Sequence, residues 1–128
     1  MEMFAMRLAQ LGLPVFVASH PTTPALEKTD LLILVSGSGE TEPILSAASK
    51  ASEIGAEIFV VTQNEGSSLG KLVQDPLIIP SPSENTKVLN GTLFEMSLLI
   101  CLDAVVAELL ILTGQRFEDM STRHANIG

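Results

Sequence analysis

Ser36-Gly37-Ser38-Gly39-Glu40-Thr41 brings three hydroxyls and two glycines into one short stretch. It follows the apolar run Leu31-Leu32-Ile33-Leu34-Val35 and precedes a segment with helical periodicity. Strand, small polar loop and helix aim backbone N–H groups and a helix N-terminus at one point. Such a point favours an anion, most often a phosphate. Gly37 and Gly39 let the backbone approach without a Cβ in the way. Ser36, Ser38 and Thr41 add hydroxyl donors. The alternative is a plain strand-to-helix turn with a Ser/Thr cap, which needs fewer small polar residues than this stretch holds.

Glu95 is the second residue with possible chemistry. It sits one turn into a long apolar segment. Facing a ligand, a partly desolvated Glu95 would titrate high enough to act as a general base. The residues themselves favour another role, because Thr92-x-x-Glu95 has the spacing of a capping box. His124 is the next candidate, although a histidine near a chain end is usually solvated. Arg123 beside it either offers charge to a ligand or solvates the tail. His20 falls in a proline-rich loop and reads as a solvated side chain. Asp103 and Glu108 read as solvated or as subunit contacts. Cys101 lies in an apolar helical pattern and reads as a buried, inert thiol. No Cys/His spacing suggests zinc, and no nucleophile elbow is present. The 36–41 loop lacks the lysine of a P-loop and the spacing of a dinucleotide fingerprint.

These residues need elements to position them. Phe4, Met6, Leu8 and Leu11 predict a first helix that ends at Gly12. Val15-Phe16-Val17-Ala18 predicts a short strand, and Pro24 to Lys28 a helical turn. Leu31 to Val35 predicts a strand buried on both faces, as in a parallel sheet. Ile44, Leu45, Ala48, Ala51 and Ile54 form a helical stripe closed by Gly55. Ile58 to Thr62 and Leu77 to Ile79 predict further strands, with a short helix from Ser68 to Leu72 between them. Residues 80–90 are polar and predict a loop. A long helix follows from Asn90 to Gly114, and Phe117 onward predicts one more turn. Strand and helix alternating in this way define an α/β domain with a parallel, doubly wound sheet. In such sheets ligands bind at the carboxyl ends of the strands. Residues 19–23, 36–41 and 63–68 all fall on that edge.

Composition narrows the class. The chain has 128 residues, the size of a single domain. A hydrophobic content of 46%, with no Trp or Tyr, predicts an aliphatic core. A net charge of −8 argues against nucleic acid or an anionic membrane as partner. The same charge means that local dipoles must hold any phosphate. One cysteine excludes an internal disulfide and suits a reducing cytoplasm. The run from Leu93 to Leu112 is long enough to span a bilayer, but Glu95, Asp103 and Glu108 interrupt it, so a buried core helix is expected. The N-terminal residues do not read as a signal peptide.

Taken together, the motifs resemble a known family. Ser36 to Thr41 after a buried strand is similar to the phosphosugar-binding loop of the SIS (sugar isomerase) domain. Gly91-Thr92-Leu93-Phe94-Glu95 and Arg123-His124-Ala125-Asn126 resemble the 6-phospho-3-hexuloisomerase branch of that superfamily. The resemblance implies a three-layer α-β-α sandwich with flavodoxin-like strand order. It implies interconversion of 3-hexulose 6-phosphate and fructose 6-phosphate in formaldehyde fixation by the ribulose monophosphate route. By the same resemblance Ser36, Ser38 and Thr41 hold the sugar phosphate, with Gly37, Gly39 and Glu40 completing the loop. Glu95 is then the base, and His124 is contributed by a neighbouring subunit. The resemblance further implies a homotetramer in the cytoplasm, without metal or organic cofactor. A regulatory SIS domain that binds sugar phosphate without catalysis is the alternative. SIS domains usually begin with a helix and a strand ending in a Gly-x-Ser-Gly loop that also touches substrate. This chain opens in mid-helix without an N-cap, so an N-terminally incomplete domain lacking that central strand is expected.

Overall fold

The unbroken aliphatic runs pair into a parallel sheet. Its strands are β1 (Leu31–Ser36), β2 (Glu57–Thr62) and β3 (Leu77–Ile78), in the order β1-β2-β3. β1 and β2 run in register from Leu31↔Glu57 to Ser36↔Thr62, so both strands end at one level. The loops that follow them therefore start side by side. The computed structural model describes residues 1–80 and 91–127. The expected polar loop after Pro80, with Asn90, lies outside the described residues.

Two units make up the fold, Ala25–Ser97 and Met1–Pro24 with Leu98–Gly128. In the first, α2 (Glu42–Ile54) connects β1 to β2. Pro43 occupies its first turn, where a missing N–H costs nothing. The helix closes as the N–H groups of Gly55 and Ala56 fold back onto the carbonyls of Ser52 and Ala51. Leu34, Ala48, Val60 and Leu69 form the core, with Leu32, Ile44, Leu45, Ile58 and Val73 packed against it. Burying one such Leu or Val stabilises the fold by about 1.5–3 kcal/mol. The core is aliphatic, as the composition predicts. A single 3-10 turn, Gly70–Leu72, stands where a short helix was expected.

In the second unit, α1 (Glu2–Gln10) packs against α4 (Phe117–Thr122). Phe4, Leu8, Leu11, Leu102, Val106 and Met120 are its buried apolar side chains. Arg7 Nε lies 2.7 Å from Asp103 Oδ1, an ion pair without an aligned N–H bond. Arg123 donates from Nη1 to the Gln10 carbonyl at 2.9 Å and to Gln115 Oε1 at 2.8 Å. The tail is thereby fastened to the end of α1.

α3 (Thr92–Leu112) is the long helix that the apolar run predicts. It is less buried than expected. Phe94, Leu102 and Val106 are buried, whereas Ile111 and Leu112 are 70% and 78% exposed. The helix is apolar nearly all round, so no single face can take every large side chain inside. Cys101 on α3 is half-buried rather than buried. No helix among the described residues is long and apolar enough to cross a membrane.

Two expected elements do not form. Residues 15–18 carry no strand, and Phe16 is 60% exposed. A β-rich composition makes a strand only where a ladder partner is available, and this run has none among the described residues. The helical turn expected from Pro24 to Lys28 does not form, and residues 24–27 carry no regular element. There the Glu27 N–H donates to Asp30 Oδ2 at 2.8 Å, and a tight turn at residues 27–30 leads into β1.

Candidate phosphate-binding site

The 36–41 loop is built around one hydroxyl. Ser36 Oγ sits 2.8 Å from Thr41 Oγ1, 3.5 Å from Ser38 Oγ, and accepts from the Gly39 N–H at 3.1 Å. Thr41 is the N-cap residue of α2, yet its side chain makes no cap bond to the helix. The plain-cap alternative therefore does not describe this loop. The hydroxyls of Ser36, Ser38 and Thr41 converge ahead of the helix N-terminus. The N–H groups of Thr41 and Glu42 have no hydrogen-bond partner among the described residues. Free N–H groups and mobile hydroxyl donors at a positive helix end are what an anion requires.

A second loop, residues 63–70, clamps the first. Thr62 Oγ1 donates to the Gly37 carbonyl, and the Gln63 N–H donates to the same oxygen. The Leu69 N–H reaches the Gly39 carbonyl at 3.0 Å. Ser67 is 2% exposed, with Oγ donating to the Asn64 carbonyl and accepting from the Gly70 N–H. Each buried hydroxyl is thus satisfied, as burial requires. The glycines have separate reasons. Gly39 has φ +70°, and a Cβ there would fall 2.0 Å from Ser67 Oγ. At Gly37 a Cβ would stand 3.3 Å from the ring of Phe94, so this glycine lets α3 start close to the loop.

Glu40 turns its carboxylate to the second loop, where Oε1 accepts from the Ser68 N–H at 2.8 Å. That bond from the Ser68 backbone, aided by the Ser68 side chain and by Lys71, holds the Glu40 carboxyl below its ordinary range. The acid nearest the proposed anion position is therefore already turned toward donors.

Gly37, Ser38, Gln63, Gly91 and Phe94 line a cavity of about 370 Å³ beside the loop. The loop and the first turn of α3 thus share one hollow. Glu95 follows Phe94 in the chain and is exposed, so burial supplies none of the desolvation expected of it. The expected capping box is also absent. Thr92 is already helical, and the Glu95 N–H bonds the Gly91 carbonyl rather than a threonine hydroxyl. The register is one residue off the box.

His124 belongs to the other unit, where it is exposed with Nδ1 3.0 Å from the Ala125 carbonyl. Arg123 fastens the tail instead of solvating it. His20 is exposed, with Nε2 3.5 Å from Glu2 Oε1. Gln63, expected only as part of residues 63–68 on the ligand edge and not singled out as a site residue, lines the cavity beside the loop. Its signal was its position directly after β2, at the level where β1 ends.

A parallel sheet flanked by helices, whose first strand ends in a hydroxyl-rich loop against a helix N-terminus, defines an α/β domain with a candidate anion site. The SIS domain profile matches residues 4–102 of this chain. The chain belongs to the SIS domain family. It is 38% identical to the 3-hexulose-6-phosphate isomerase of Mycobacterium gastri, over 99% of this chain and 67% of that protein. It is 40% identical to the 3-hexulose-6-phosphate isomerase of Methanocaldococcus jannaschii, over 97% of this chain and 68% of that protein. Among solved structures, one from Methanococcus jannaschii, with an inferred molecular function of 3-hexulose-6-phosphate isomerase, superposes with a TM-score of 0.87 at 38% identity. That match covers 99% of this chain and 71% of the other.

Proposed function

We propose that this chain is a phosphosugar isomerase interconverting 3-hexulose 6-phosphate and fructose 6-phosphate. The observation that carries the reading is the Ser36 Oγ–Thr41 Oγ1 pair at 2.8 Å, which takes the N-cap hydroxyl off its helix and turns it to the loop. Relatives named 3-hexulose-6-phosphate isomerase, at 38% and 40% identity, support the choice of substrate. Ser36, Ser38, Thr41 and the loop amides hold the phosphate through charge-assisted hydrogen bonds. Glu40 orders the loop through Ser68. Glu95 removes the proton on C2 of the 3-ketose, giving a C2=C3 enediol. Glu95, open to solvent exchange, delivers a proton to C3, and the O2 hydroxyl proton passes to O3, leaving the carbonyl at C2. His124 of a neighbouring subunit moves that hydroxyl proton. The assembly is a homotetramer in the cytoplasm, and the exposed apolar side chains of α3 support such an association. The route served is formaldehyde fixation.

The testing experiment is direct. Purified chain is incubated with fructose 6-phosphate and exchange of solvent deuterium into C2 or C3 is followed by NMR. Exchange that disappears in Glu95→Gln supports the reading, and absence of exchange in the unaltered chain sinks it. The exposure of Glu95 favours a second reading, a sugar-phosphate-binding domain without catalysis. Fructose 6-phosphate binding with no exchange would select it.

A further inference from the structure

Gln63 carries chemistry that the phosphate loop does not. It directly follows β2, whose last residue Thr62 pairs with Ser36. Its backbone N–H bonds the Gly37 carbonyl at 3.1 Å, which fixes its position next to the loop. Neighbouring strands lie about 4.8 Å apart, so the root of this side chain stands one strand spacing from the end of β1, where the 36–41 loop begins. The side chain lines the same cavity as Ser38 and Phe94. Its amide is half-buried and has no hydrogen-bond partner among the described residues. Its neighbours differ. Thr62 Oγ1 is spent on Gly37, and Asn64 Oδ1 accepts from the Gly66 N–H. Among the described residues that line the cavity, Gln63 alone has a polar side chain with no internal hydrogen bond.

An amide presents a donor and an acceptor together. A hydroxyl does the same, and a sugar chain presents hydroxyls on successive carbons. Phosphate oxygens at neutral pH mainly accept, so they match only half of the amide. We infer that Gln63 is the specificity residue of this site, bonding the hydroxyls of the sugar chain next to the phosphate. The inference rests on the phosphosugar reading above. It separates the labour of the site, with the 36–41 loop holding the anion and Gln63 telling a phosphosugar from phosphate itself. A site that bonds a hydroxyl discriminates against ligands lacking it, because its polar group is then left unpaired.

The test is calorimetric titration of the unaltered chain, Gln63→Leu and Gln63→Ala with fructose 6-phosphate and with inorganic phosphate. Gln63→Leu keeps the backbone bond to Gly37 and most of the volume while removing the amide. The expected result is fructose 6-phosphate affinity reduced about 3- to 10-fold in both variants, the worth of one hydrogen bond, with phosphate affinity within about 2-fold. Equal fructose 6-phosphate affinity in all three proteins overturns the inference. So does an equal loss for both ligands, which would mark a general disturbance of the loop. If the unaltered chain binds neither ligand, the phosphosugar reading itself fails and the inference falls with it. If it binds phosphate as tightly as fructose 6-phosphate, the inference alone fails.

Discussion

Glu40 and Ser68 are joined across 28 residues of chain by one bond, from the Ser68 N–H to Glu40 Oε1. It places a carboxylate on the loop proposed to bind phosphate, yet spends one of its oxygens on a backbone donor. The bond ties the loop after β1 to the loop after β2 at the strand ends where ligands of parallel sheets bind.

This pairing makes a signed pH prediction. The Glu40 carboxyl is held below its ordinary value of 4.5 by the Ser68 N–H. A depressed folded value stabilises the fold above the unfolded value and loses that contribution as pH falls through the folded one. Thermal midpoints of the unaltered chain and Glu40→Gln, measured from pH 7 to pH 3, are expected to differ most at neutral pH and to converge below 4.5. Parallel curves through the whole range would show that the bond contributes nothing.

Gly39→Ala is expected to be far more costly than Gly37→Ala. At Gly39 the left-handed backbone and the contact with Ser67 Oγ act together. The first alone costs roughly 1–2 kcal/mol. At Gly37 the ring of Phe94 needs to give by only a few tenths of an ångström. Urea unfolding of both variants checks the order. Equal losses would mean that Ser67 swings aside freely.

Glu95→Gln is expected to lower turnover at least about 10²-fold, the lower bound for a positioned base. Because Glu95 is exposed and its side chain makes no cap bond among the described residues, the thermal midpoint of Glu95→Gln should match that of the unaltered chain. Normal turnover together with a lowered midpoint would reinstate a structural role.

Much of this was legible before the structure. The strands read at Leu31–Val35 and Ile58–Thr62 from continuous apolar runs form as Leu31–Ser36 and Glu57–Thr62, and the 3.6-residue stripe after the loop forms the helix from Glu42. Val15 to Ala18 misled because strand propensity says nothing about a partner. Thr92 misled because a capping box depends on which residue is the first helical one, and one step of register removes it. Gln63 was read only as part of the 63–68 loop on the ligand edge, because a loop glutamine has no motif. Its meaning comes from the register that sets Thr62 opposite Ser36. The convergence of the 36–41 hydroxyls was legible because small polar residues lie close together in the chain directly after a strand.

Arg123→Gln is expected to destabilise the chain by about 1 kcal/mol, since a half-buried charge-assisted bond to the Gln10 carbonyl is lost. Chemical denaturation measures it. No change would show that water replaces the guanidinium at no cost.

That guanidinium has a wider meaning. It bonds residues 113 positions apart, Gln10 and Arg123, and the next residue is His124. The placement of His124 thus draws on the opening helix as well as on its own turn, where its N–H bonds the Ser121 carbonyl at 3.2 Å. Opening of the first ten residues would remove that tie beside the histidine, so the two ends of the chain are expected to exchange amide hydrogens together.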